Sequence, residues 1–167
     1  KIAKNETVEA ARGQILDRYG RVLVSNRASY NVSLDTSFMG EDRNTVLLRL
    51  LDICREESVT WSDTLPVSQS APYVFTAEGA YGNLRKYAEK MKWEGLVPTA
   101  EEIEALQSAE SPALPSAERL IAKLRETYQV DPALSDEEAR DLVGVLYELA
   151  LRSREITWSS YVFAQDE

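Results

Sequence analysis

Acidic side chains are the first candidates for chemistry in this chain. Glu101, Glu102 and Glu104 lie close together, and Asp136, Glu137, Glu138 and Asp141 form a second cluster. Two carboxylates facing each other across a cleft can hydrolyse a glycosidic bond. Both clusters, however, fall in the first turns of predicted helices, where acids favour the positive end of the peptide dipoles. Helix stabilisation is the plainer reading of each. No Asp-x-Asp-x-Asp-Gly calcium loop is present, and the 7 glycines are scattered rather than gathered into a phosphate-cradling loop.

The chain has 0 histidines. That removes Ser-His and Cys-His nucleophilic pairs, histidine bases and the commonest zinc ligand together. Cys54 is the 1 cysteine, so no internal disulfide supports the fold. It sits on an apolar stripe, where a buried small hydrophobe is expected rather than a reactive thiol. Asn5-Glu6-Thr7 and Asn31-Val32-Ser33 match the glycosylation sequon, a pattern short enough to arise by chance. Trp61, Trp93 and Trp158 are too far apart in sequence to form one platform and are expected in packing roles. No catalytic, cofactor-binding or metal-ligating residue is assigned, and no cofactor is expected.

A formal charge of −9 argues against nucleic acid as a partner, because phosphate binding needs a basic face. It also disfavours docking of the domain body on an anionic membrane. With 44% hydrophobic and 28% charged residues over 167 positions, the composition is that of one globular domain with a real core. No apolar run approaches the ~20 residues of a membrane helix.

The elements that must position these residues follow from periodicity and caps. Strands are predicted into Leu16, through Val22-Leu23-Val24 and through Tyr30 to Leu34. Arg43 to about Glu57 reads as a helix with the stripe Val46, Leu47, Leu50, Leu51 and Cys54. Leu65 to Phe75 suggests an irregular hairpin or edge strands, and Gly82 to about Trp93 a second helix with Leu84, Tyr87, Ala88 and Met91 inward. Thr99 with Glu102, and Ser135 with Glu138, are capping boxes that open helices. Ser116 caps another, with Leu120, Ile121, Leu124 and Tyr128 as its inner face. The helix from Asp136 to Ser153 is the longest, with Leu142, Val143, Leu146, Leu149 and Ala150 in its stripe. Ile156-Thr157-Trp158 and Tyr161-Val162-Phe163 read as a returning strand. Strands at both ends of a helical middle predict an α+β fold: a strand-rich stem from residues 1–36 and 154–167, with a mostly helical head subdomain, 37–153, inserted between.

The most informative stretch is Arg12-Gly13-Gln14-Ile15-Leu16-Asp17-Arg18-Tyr19-Gly20-Arg21-Val22-Leu23-Val24. Asp17 at the start of a tight turn can accept backbone N–H bonds two residues on, and Gly20 tolerates a positive φ at its end. Taken alone it is a charged hairpin whose Arg12, Asp17 and Arg18 form surface ion pairs worth under about 1 kcal/mol. Its letters, Arg-Gly-x-Ile-x-Asp-Arg-x-Gly-x-x-Leu, resemble the signature that opens the extracytoplasmic part of class B penicillin-binding proteins. Arg12, Gly13, Ile15, Asp17, Arg18, Gly20 and Leu23 carry it. The family usually has Asn where Tyr19 stands and often Ala where Val24 stands.

That resemblance implies the non-catalytic N-terminal pedestal, or dimerisation domain, of a peptidoglycan D,D-transpeptidase anchored by an upstream membrane helix. The motif residues would then lie where the pedestal meets the transpeptidase domain. Implied partners are that domain, a cell-wall glycosyltransferase and scaffold proteins engaging the head, all at the extracytoplasmic face of the cell membrane. The label allows a dimer without establishing one. The hallmark Ser-x-x-Lys is missing: Ser116-Ala117-Glu118-Arg119 has Arg where Lys should stand, and Arg cannot lose a proton to act as a base. The alternatives are a self-standing acidic interaction adaptor, with the motif a coincidence, and a hydrolase using the paired carboxylates.

Overall fold

A computed structural model of the chain describes residues 15–24, 31–34, 41–108, 110, 112–152 and 161–165. Arg12, Gly13, Asn5 and Trp158, and the segment Ile156–Trp158, lie outside the described residues. Two compact units are distinguished: Lys1–Tyr30 with Asp166–Glu167, and Asn31–Gln165.

In the first unit, β1 (Ile15–Leu16) pairs antiparallel with β2 (Val22–Val24), with Ile15 opposite Val24 and Leu16 opposite Val22. In the second, β3 (Asn31–Leu34) pairs antiparallel with β4 (Tyr161–Gln165). Between β3 and β4 in sequence come α1 (Arg43–Glu56), α2 (Tyr81–Met91), α3 (Ala100–Gln107), α4 (Ala117–Thr127) and α5 (Asp136–Arg152).

This corrects the expected fold class. The described residues are predominantly helical and form no strand-rich stem of an α+β fold among themselves. The helices run from 8 to 17 residues, the strands from 2 to 5, and the strands form two separate two-stranded ladders instead of one sheet. The physical reason is that the capped and amphipathic segments own most of the apolar side chains. Short strands with few apolar residues cannot build a core layer of their own.

The helix starts follow the capping logic. Thr99 Oγ1 accepts the Glu102 N–H at 3.2 Å, while the Glu102 carboxylate accepts the Thr99 N–H at 2.7 Å. Ser135 and Glu138 repeat the exchange at 3.2 and 3.1 Å. Ser116 holds the N-cap position of α4 with extended backbone, yet its hydroxyl makes no capping bond. α2 stops where Lys92 turns left-handed at φ 57°, its N–H returning to the Glu89 carbonyl.

The core of the helical unit is built around α5. Leu47, Leu51 and Cys54 of α1, Leu84 and Tyr87 of α2, and Leu120, Ile121 and Leu124 of α4 join Leu142, Val143, Leu146 and Leu149 of α5. The predicted stripes are thus inside, with two differences. Val46, expected on the inner stripe of α1, is 52% exposed, and Leu50 of the same stripe is half-buried. α5 is buried all the way round from Leu142 to Leu149, Glu148 included, with Ala139 and Arg140 buried before it, because α1 and α4 pack on it and the loop before α2 bonds to its remaining side. That loop is the expected irregular hairpin, reduced to a single antiparallel bridge between Val67 and Phe75.

Candidate functional site

The turn between β1 and β2 is organised by one carboxylate. Asp17 Oδ1 accepts the N–H groups of Tyr19 at 2.8 Å and Arg21 at 2.9 Å, and Oδ2 pairs with Arg21 Nε at 2.6 Å. The Arg21 backbone bond leads in holding the Asp17 carboxyl below the usual carboxylate range, with the Arg21 guanidinium and the Tyr19 N–H adding to it against some desolvation. Gly20 closes the turn at φ 77°, and its N–H bonds the Asp17 carbonyl at 3.0 Å. With its oxygens committed inside the turn, Asp17 acts as the turn's organiser.

What the turn presents outward is an aromatic ring between two cations. Tyr19 is 68% exposed, with the Arg18 guanidinium 4.7 Å and that of Arg21 5.6 Å from its ring centre. Arg18 also donates to the Tyr19 hydroxyl at 2.5 Å. Of the seven motif residues, Asp17, Arg18 and Gly20 are thus brought together in one turn, and Ile15 and Leu23 lie in the paired strands flanking it. The sequence indicated the turn but not the role of Tyr19, whose ring takes the cations that an Asn could not.

A second polar centre, absent from the sequence reading, lies inside the helical unit. Arg140, with no exposed surface, pairs with Asp63 Oδ2 at 2.8 Å and donates to the carbonyls of Leu65, Val67 and Ser68 at 3.2, 2.9 and 3.1 Å. Two turns further along α5, the buried Glu148 carboxylate accepts the Thr64 N–H at 2.7 Å and the Thr64 hydroxyl, and faces Arg152 Nε at 3.5 Å. Gly144 lies between them, and a Cβ there would stand 2.5 Å from Asp63 and 2.7 Å from Arg140. Gly144 in the middle of an amphipathic helix was the one available signal, since mid-helix glycine marks a close approach. Tyr73 adds two further ties, its N–H to Glu118 at 2.7 Å and its hydroxyl to the Asp136 carbonyl at 2.7 Å. The charged groups of the centre, Arg140, Asp63 and Glu148, are all engaged by internal bonds. Its chemistry is to pin the loop over residues 63–73 onto α4 and α5.

The acidic clusters are placed at helix starts, as expected. Glu102 and Glu138 are engaged in capping boxes, Asp141 pairs with Arg55 at 2.5 Å, and Asp136 faces Arg125 at 3.5 Å. Clefts of about 470, 530 and 470 Å³ among the described residues are lined by no member of either cluster. Cys54 is buried, and desolvation raises its thiol, the opposite of nucleophilic activation. Trp93 packs edge-on against Tyr87 at 5.5 Å, and Trp61 lies under the Arg55 guanidinium at 5.7 Å, both in packing roles.

No curated protein matches the chain. A family model described as the penicillin-binding protein dimerisation domain matches residues 7–157, which takes in both the hairpin turn and the whole helical unit up to the end of α5. That family is a non-catalytic domain of cell-envelope proteins. The chain belongs to the penicillin-binding protein dimerisation domain family.

Proposed function

We propose that this domain is the pedestal of a class B penicillin-binding protein. In that role it holds a downstream peptidoglycan D,D-transpeptidase domain at the extracytoplasmic face of the cell membrane, below which a membrane helix anchors the protein. Residues 37–153 are its head, the side offered to a cell-wall glycosyltransferase and to scaffold proteins. The family match over residues 7–157 carries this reading. The signature spelled by Arg12, Gly13, Ile15, Asp17, Arg18, Gly20 and Leu23 supports the class B assignment.

The motif serves the junction with the transpeptidase domain in two parts. Asp17 shapes the turn, and the Arg18–Tyr19–Arg21 face is the surface that meets the neighbouring domain. Two guanidiniums around an exposed ring suit a carboxylate-bearing surface, and a covalent tether lets so small a patch suffice. The test is acylation of the parent protein by a labelled penicillin, together with its gene sequence. A membrane helix upstream, a Ser-x-x-Lys downstream and label in that downstream domain alone are expected. A parent with no acylation and no Ser-x-x-Lys overturns the reading and leaves an acidic interaction module.

A further inference from the structure

Trp93 stands where two clefts meet. One, of about 530 Å³, reaches Arg119 and Lys123 of α4, and the other, of about 470 Å³, reaches Arg85 and Glu89 of α2. Lys92, Trp93 and Glu94 line both, so the two form one groove across the turn that ends α2. Trp93 is half-buried and held in place. Its N–H donates to the Ala88 carbonyl at 2.9 Å, and its ring packs against Tyr87 at 5.5 Å while still lining the two clefts.

The cations of this groove stand where the domain itself gains little from them. Arg85 is half-buried, yet its guanidinium finds no acceptor among the described residues. Arg119 is exposed in the first turn of α4, where the positive end of the helix disfavours a cation, and Lys123 adds a like charge four residues on. Arg119 too forms no ion pair among the described residues. Lys123 pairs with Glu126 at 2.7 Å, which leaves Arg85, Lys92 and Arg119 against Glu89 and Glu94. α2 and its cap carry Arg85, Lys86, Lys90 and Lys92 against Glu89 alone, in a chain of 19 basic and 28 acidic residues. An acidic molecule thus presents one basic strip beside a tryptophan, and Trp and Arg are the side chains that dominate binding at protein interfaces.

We infer that this groove docks an acidic linear segment of a partner protein, with an apolar side chain against Trp93 and carboxylates on Arg85 and Arg119. Charge complementarity selects that occupant, because a neutral or basic segment leaves both guanidiniums without acceptors. Glu89 and Glu94 oppose a continuous row of phosphates, whereas a peptide can space its carboxylates to avoid them and offer them its backbone N–H groups. The inference deepens the reading of residues 37–153 as a partner-facing head, and rests on that reading for the partner being a protein.

The nitrogen-15-labelled 167-residue chain tests it, titrated with three synthetic peptides of equal length. Each has a central leucine, flanked by glutamates, glutamines or lysines. The glutamate peptide should bind with Kd below about 1 mM at low salt, shifting the Trp93 indole N–H and the amides of Arg85 and Arg119. About 0.5 M NaCl should weaken it severalfold, and the other two peptides should bind at least ~10-fold more weakly. Arg119→Glu should lower affinity for the glutamate peptide ~10-fold or more. Arg49→Glu, the same charge change at an exposed site of α1 outside the groove, should leave it within about 2-fold. A Kd above about 1 mM, shifts that avoid Trp93, or an affinity indifferent to salt each overturns the inference. So does a glutamine peptide that binds as well, or an equal loss in Arg49→Glu and Arg119→Glu. Binding to phosphatidylglycerol vesicles with none to the glutamate peptide overturns it in favour of a lipid-facing strip. The penicillin test is separate: a groove that binds no peptide leaves the pedestal reading standing, and a non-acylated parent removes that reading while the measured affinity remains.

Discussion

Arg140 is a full charge with no exposed surface, and its environment decides what removing it does. Asp63 and three carbonyls receive its guanidinium, so an Arg140→Ala variant leaves a buried carboxylate with no cation. Breaking such a pair from one side costs about 3–5 kcal/mol. Chemical denaturation should show a loss of that size, far larger than for the exposed Lys123–Glu126 pair. Gly144 supports a sharper expectation. Gly→Ala inside a helix ordinarily stabilises by roughly 0.5–1 kcal/mol, but here the added Cβ drives into Asp63 and Arg140. Gly144→Ala should therefore lower the melting temperature instead of raising it. Sequence alone could not place this centre, because the partners of Arg140 lie 77 and more than 70 positions upstream and Asp63 sits in an irregular loop. In sequence, Arg140 stands outside the Leu142–Val143–Leu146–Leu149 stripe, with nothing nearby to mark a buried partner. Only its neighbour Gly144 hinted that something large approaches α5.

At the scale of the element, local signals were well matched by local structure, and non-local pairing was not. α3 and α5 begin where Thr99 and Ser135 predict, because a capping box is complete within four residues and depends on nothing distant. The Asp17–Gly20 turn was legible for the same reason. Val46 was misread, since periodicity gives the width of an apolar face without saying how much of it a neighbour covers. The strand-rich stem failed more fundamentally, since alternation identifies short strands but cannot tell one sheet from two separate ladders. Two predictions belong here. Ser135→Ala removes the hydroxyl that caps the Glu138 N–H at 3.2 Å and should cost about 1 kcal/mol in thermal unfolding. The Glu138 carboxyl is held below the usual range first by the Ser135 hydroxyl and then by the Ser135 N–H. A carboxyl lowered in the folded state stabilises it above the unfolded value and loses that contribution as pH falls through the folded value. Glu138→Gln should therefore flatten the loss of stability below about pH 4, while wild type falls more steeply.

Across the whole molecule, the decisive asymmetry is between α5 and everything around it. α5 is buried on all sides from Leu142 to Leu149, meets α1 and α4, and carries bonds that hold the loop before α2. Its amides can exchange with solvent only when those neighbours leave, which is close to global unfolding. The β1–β2 hairpin belongs to the other compact unit and has strands of 2 and 3 residues with an exposed turn, so its amides need only local opening. Hydrogen exchange followed by mass spectrometry should find α5 the slowest segment of the chain and β1–β2 among the fastest. The Arg140→Ala variant adds a control, because its cost falls on the state that protects α5. Protection of Leu142 to Leu149 should then drop by the full unfolding penalty, about 10²–10⁴-fold for the 3–5 kcal/mol above, while exchange at Tyr19 and Arg21 stays as it was. Equal slowing in the hairpin and α5 of wild type would mean that the two units unfold as one, and that the turn gains its order from the helical unit and not from Asp17 alone.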